Sequence, residues 1–287
     1  MARLLFAGIV FIALQQNLHL MSMSNIAKKS THLFFKAYKN CERIPFIVYA
    51  DFESTLEEKK GFIEKHIVNS FCLRLVSKYP EIVPHRKEMI VNSDPNVLME
   101  KYFETLFSWQ EETATIIKQY QKNPIPCCGT QQQLVYHNKA KRCDLCRSQF
   151  TDNNIKTFHH DHFTGKYLGT VCNRCNLQLK HDYKLKVVFH NGRGYDFHHI
   201  IKHSNLAYKY KLEAQKKARI QIIPLNWEKY VTINFFNRLQ FMDSCLFMNS
   251  SLDTLVGNLK NSCIEKLGNN VTDDSFYFAC KDKFKNF

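Results

Sequence analysis

Four cysteines constrain this chain more than any other feature. Cys143-x2-Cys146 and Cys172-x2-Cys175 flank residues 147–171. One C-x2-C turn offers two thiolates to a single ion, and two such turns complete a tetrahedral S4 shell, the pattern of a closed structural zinc site. From Cys127 to about Asp182 the composition turns to Cys, His, Asn and Lys. A polar segment of this size cannot bury enough apolar area to fold unaided, so a metal is expected to supply the missing stability. The chain has 11 cysteines, an odd number, and their paired spacing points to metal rather than disulfides. Cys41, Cys72, Cys127, Cys128, Cys245, Cys263 and Cys280 read as ordinary buried or free thiols.

Around this segment the hydrophobic pattern changes period. Phe46 to Thr55 reads as a strand of four or five apolar residues that ends in two acids, Asp51 and Glu53. Val68 to Tyr79 and Glu88 to Val91 continue a meander, with Pro80 and Pro84 in the turn. Asp94 or Ser93 can cap, Pro95 suits a first helical turn, and Val97 to Tyr120 repeat at helical intervals as one helix or two. Beyond the polar insertion, Leu185–His190 is a strand, Asp196 to Leu206 a helix, and Ile220–Ile223, Tyr230–Phe235 and Leu239–Met242 are strands. A last helix runs through Leu252 to Leu259, capped by Ser250 or Ser251. The fold class is α/β. The expected units are an apolar leader (1–25), the first part of the main domain (26–126), a zinc-binding ββα insertion (127–182) and the second part (183–287).

Composition narrows the partners. The apolar fraction of 45% and aromatic fraction of 13% exclude a mainly disordered chain, and the net charge of +14 favours polyanions. The run Leu4 to Leu14 after Arg3 looks like a signal peptide but is too short to span a bilayer, and no small-x-small cleavage site follows. An intracellular location is therefore expected, secretion being the alternative, with no membrane partner.

Two carboxylates at Asp51-x-Glu53 fall on one strand face, because side chains alternate with period two, and such a pair can chelate hard cations. A further acid, Asp196, follows Asn191 and Tyr195 at a strand-to-helix junction, residue types suited to gripping a single strand. In order, "YADFEST", "FHNGRGYD" and "LQFMDSCLFMNSSLDTLVGNL" resemble the exonuclease motifs, and the stretch after them, of family B DNA polymerases of the protein-primed branch, in particular the Polinton group of virus-like transposons. That group is also similar in carrying a zinc insertion between its first two exonuclease motifs.

The resemblance implies a ribonuclease H-like 3′→5′ exonuclease fold in a DNA-directed DNA polymerase acting in replication. It makes Asp51, Glu53 and Asp196 carboxylates for Mg2+ or Mn2+, and it lines a groove for a single-stranded DNA 3′ end with Ser54, His190, Asn191 and Tyr195. A terminal priming protein and a nuclear or replication-site location follow from it as well. The third exonuclease motif, Tyr-x3-Asp, and the polymerase palm motifs do not occur, so the chain is expected to be the N-terminal part of a longer polymerase, with Asp243 the first residue to consider for a missing acid.

Within the insertion, His159-His160-Asp161-His162-Phe163-Thr164-Gly165, running into "CNRCN", resembles the recombination endonuclease VII type of His-Me finger. That resemblance would make His160 a general base and would give position 159 and Asn176 to a divalent metal. The chain has His159 where that family has Asp, and Leu168 where it has Arg, which removes a hard oxygen ligand and a phosphate contact. The finger is expected to be a retained scaffold that contacts DNA. A non-catalytic zinc-dependent DNA-binding module and a His-Me finger endonuclease remain as alternative functions.

Overall fold

A computed structural model describes residues 43–59, 62–213 and 217–258. The apolar leader lies outside them, as do Cys41, Cys263 and Cys280. Alternation drives the architecture. In β1 (Phe46–Lys59) the residues Phe46, Val48, Ala50 and Phe52 are buried on one face, while Asp51 and Glu53 are exposed on the other. β2 (Phe62–Ser77) and β3 (Arg86–Val91) pair antiparallel beside it, placing Leu73, Leu75 and Phe71 on the same buried face.

α1 (Pro95–Lys122) is one uninterrupted helix. Asp94 caps it by accepting from Asn96 N at 2.8 Å, and Pro95 occupies its first turn. Leu98, Met99, Tyr102, Phe103, Leu106, Phe107 and Ile117 form its buried stripe, which lies on that sheet face. After the insertion, β6 (Leu185–Phe189) returns to pair parallel with β1, and β9 (Leu239–Asp243) pairs parallel with β6. β7 (Ile220–Pro224) and β8 (Tyr230–Phe235) complete the sheet as a hairpin, giving the order β3-β2-β1-β6-β9-β8-β7. This is a mixed α/β fold with a mixed parallel and antiparallel sheet.

Several expected boundaries shift, among them the second strand, expected from Val68 to Tyr79 and found at Phe62–Ser77. β1 does not end at its two acids but runs on to Lys59 as a two-stranded ribbon with β2, with a register shift between Glu53 and Ser54. Pairing with β2 carries the strand past the point where its apolar alternation stops. β6 ends at Phe189, and the helix starting at Asp196, α4, stops at Lys202, continued by a 3-10 segment, Ser204–Tyr210. In the insertion, α2 (Gln131–Lys139), with a Thr130 capping box, precedes the hairpin of β4 (Lys156–His160) and β5 (Tyr167–Cys172) and the short α3 (Asn173–Gln178). Residues 252–258 form the last described helix, and Ser251 Oγ accepts from Thr254 N at 3.1 Å. Among the described residues no helix is long and apolar enough to cross a membrane.

Candidate functional site

The cysteine centre is assembled by β5 and two turns. Arg147 adopts a left-handed φ of 61° and its N–H closes on Cys143 O at 2.9 Å, which folds the first pair into a knuckle. The second pair straddles the start of α3, with Cys172 at the end of β5 and Cys175 inside the helix. Asp144 locks the two halves together, accepting from Thr170 N at 2.7 Å and Tyr136 OH at 2.6 Å. The Cys143, Cys146, Cys172 and Cys175 sulfurs all lie within 4.8 Å of one another, and Cys146 and Cys172 are 3.8 Å apart. A tetrahedral thiolate site with bonds of about 2.3 Å requires sulfurs about 3.8 Å apart. Cys172 N also donates to Cys143 Sγ at 3.3 Å. Burial pushes the thiols of Cys172 and Cys175 up, so a cation is what would let these two join the cluster as thiolates. The cluster can bind zinc.

Next to it, Asp161 does not face solvent. Its carboxylate accepts from Lys78 Nζ and Tyr79 OH, each at 2.7 Å, and from Phe163 N at 2.9 Å. Phe163 in turn enters the main core, stacked on Tyr79 at 4.3 Å and Tyr120 at 4.7 Å. Both ring nitrogens of His160 are buried without a hydrogen-bond partner, and its ring tilts against His162 at 5.3 Å. A general base has to reach a water, and in this arrangement both nitrogens are shielded from solvent. Asn176 lies on α3, half-buried, and Leu168 is 48% exposed.

The acids gather at the other candidate site, the C-terminal ends of the parallel strands. Because β6 stops at Phe189 while β1 continues, the β1 edge is uncovered there, and the Asp196 carboxylate accepts a hydrogen bond from the Phe52 N–H. Burial, followed by the charge of Asp51, pushes Asp196 up to about 7. Asp51 and Glu53 are exposed on one face of β1, and Asp196 is buried. Among the described residues only the four cysteines form a group of three or more donors within 4.8 Å of one another. The alternation of β1 turns Asp51 and Glu53 outward, whereas Asp196 lies against the β1 backbone.

Ser54, Tyr195, His190 and Asn191 divide into two groups. Ser54 Oγ meets His199 Nε2 at 3.3 Å, and Tyr195 OH meets His66 Nδ1 at 2.8 Å, with the Tyr195 ring edge-on to both His66 and His199. Burial and nearby positive charges push His199 down to about 4. His190 and Asn191 instead line a cavity of about 490 Å³ with Cys245, Asn249 and Asp253, where His190 Nδ1 contacts Ser244 Oγ at 2.9 Å.

Asp243, fully buried at the end of β9, accepts from Asn191 N at 2.9 Å, Cys245 N at 2.9 Å and Arg193 N at 3.2 Å. With its oxygens committed to amides, it holds the 191–193 turn rather than offering itself to an ion. His66 and His199 carry no local sequence signal, since their partners come from distant strands and helices.

One segment, residues 116–188, matches the family described as Recombination endonuclease VII, and it contains the cysteine centre and the His160 hairpin. No curated protein and no solved structure matches the chain. The segment is an endonuclease VII-like module, which indicates a nuclease or DNA-binding function.

Proposed function

We propose that the chain is the exonuclease and DNA-binding portion of a protein-primed family B DNA polymerase, with the zinc module inserted between the strand and the helix that carry its acids. The observation that carries this reading is the approach of Asp196 to β1, where it takes the Phe52 N–H and feels the charge of Asp51 across residues 52–195 of intervening sequence. The strand order supports it, because an antiparallel β1-β2-β3 meander with β6 and β9 added parallel to β1 is the arrangement a ribonuclease H-like core requires. In this reading Asp51, Glu53 and Asp196 would be drawn together around Mg2+ or Mn2+, which are hard cations suited to oxygen ligands. The ions would polarise the scissile phosphate and lower the pKa of the attacking water. Ser54, Tyr195, His190 and Asn191 guide a single-stranded 3′ end, and the zinc module adds DNA contacts. A terminal priming protein belongs to the same reading.

The family match favours a second reading, in which the module cuts DNA itself through His160 with Asn176. One assay separates the two. The full chain is incubated with a 5′-labelled single strand and Mg2+, alongside Asp51→Ala/Glu53→Ala and His160→Ala. Lacking Tyr-x3-Asp, the chain is expected to trim from the 3′ end weakly, and the double variant to abolish that trimming. Internal cleavage lost in His160→Ala and kept in the double variant would overturn the exonuclease reading.

A further inference from the structure

The β7–β8 hairpin ends in a turn that presents the largest exposed apolar side chain among the described residues. Trp227 is 100% exposed, with Leu225 at 53% and Ile223 at 51% beside it. Large apolar side chains exposed together on one hairpin mark a candidate interaction site. The turn is built rather than loose: Leu225 N donates to Lys229 O at 2.7 Å, and Asn226 Oδ1 accepts from Glu228 N at 3.0 Å and Lys229 N at 2.8 Å.

Its base is fixed to the helix that begins at Asp196. His198 Nε2 lies 2.9 Å from Glu228 O, and the His198 ring meets Tyr230 edge-on at 5.2 Å. Lys229 Cε reaches the 191–194 turn, 3.9 Å from where a Cβ on Gly194 would stand. The exposed indole is thus anchored, through residues 228–230, to the element that carries the buried acid.

We propose that Trp227 is a stacking platform for an unpaired base of single-stranded DNA bound at this end of the sheet. The inference rests on the nuclease reading for the position of the strand. An exposed indole offers a flat face that stacks on any base, which gives binding without sequence preference. Lys229, two residues along the same turn, on a chain of net charge +14, suits a phosphate backbone rather than an apolar protein partner.

The chain has 2 tryptophans, and the other, Trp109, is 8% exposed within the core and shielded from contact, so quenching by a stacked base reports on the hairpin tip. Titrating the full chain with a decathymidylate without divalent metal should quench that emission. Trp227→Ala should abolish the quenching and weaken binding about 5-fold to about 150-fold, and Trp227→Phe should restore most of the affinity without the signal. A blunt duplex should quench far less.

Unquenched binding, unchanged affinity in Trp227→Ala, or equal quenching by duplex would overturn the proposal. A loss of self-association in Trp227→Ala with DNA affinity intact would also overturn it and assign the tip to a second copy of the chain. Asp51→Ala/Glu53→Ala should keep the quenching. If quenching appears but no metal-dependent trimming does, the nuclease reading fails and the platform stands; trimming without quenching has the opposite meaning.

Discussion

His199 is a neutral side chain held in a charged neighbourhood. It is buried between Phe52, Tyr195 and Ser54, and burial followed by the charges of His203 and Lys202 pushes it down to about 4. In the unfolded chain a histidine takes up its proton near pH 6.5. Below that pH the unfolded state binds a proton that the folded state refuses until about pH 4, so the stabilisation present above pH 6.5 is lost as the pH falls through this window. After discounting for solvent screening, the loss is on the order of 1–2 kcal/mol. Urea midpoints taken from pH 7 to pH 4 should fall less steeply for His199→Gln than for the parent, and equal slopes would remove His199 from the account. Asp243 is the opposite case, a fully buried carboxylate whose partners are backbone amides and Arg193. Asp243→Ala strands those donors and should cost about 3–5 kcal/mol. Urea denaturation with Mg2+ present and absent tests whether that cost is independent of metal, as a clamp requires and an ion ligand does not.

At the scale of elements, the insertion is joined to the sheet by more than its chain ends. Phe163, 2% exposed, is its plug in the main core, and Asp161 ties the same turn to Lys78 and Tyr79 of the meander. Phe163→Ala should destabilise the whole protein by about 3–5 kcal/mol, through lost burial and the cavity left behind. Metal content should stay at one zinc, because the sulfurs belong to a separate small cluster with Val171, Leu145 and Phe150. Denaturant titration together with metal analysis checks both halves. These docking contacts show where sequence reading stops. The Cys143–Cys175 set was legible because its spacing is local, and α1 because Asp94, Pro95 and the apolar repeat lie within one segment. Phe163 read only as part of a finger motif, since nothing local reveals Tyr79 and Tyr120 around it. Asp243 could be named but not given its clamping role, which depends on β6 and β9 becoming parallel neighbours. Trp227 and Trp109 look alike in sequence, yet one is fully exposed and the other is core. The length of β1 was missed because Glu53, Glu57 and Glu58 break the apolar pattern, and only antiparallel pairing with β2 carries the strand through them.

For the whole molecule, charge gives a prediction that no single contact does. Lysines and arginines number 40 against 26 acids, and the acids grouped at the strand ends are the part that a DNA phosphate would avoid without a cation. Binding to DNA should therefore come from basic surface around that end and on the zinc module, with counterion release as its driving term. If about five phosphates of a single strand are neutralised, the logarithm of the affinity should fall with the logarithm of salt at a slope of about −3.5, roughly a hundredfold loss between 50 mM and 200 mM salt. Fluorescence anisotropy of a labelled oligonucleotide across that range measures the slope. Adding Mg2+ competes for the same phosphates and lowers affinity in every variant, whereas a cation held by the acids would offset part of that loss only while Asp51, Glu53 and Asp196 are intact. Comparing the parent with Asp51→Ala/Glu53→Ala at matched ionic strength thus separates the two effects of the same ion. A Mg2+ response that is unchanged by the double variant would show that the acids take no part in holding DNA, and a flat salt dependence would remove electrostatic binding altogether.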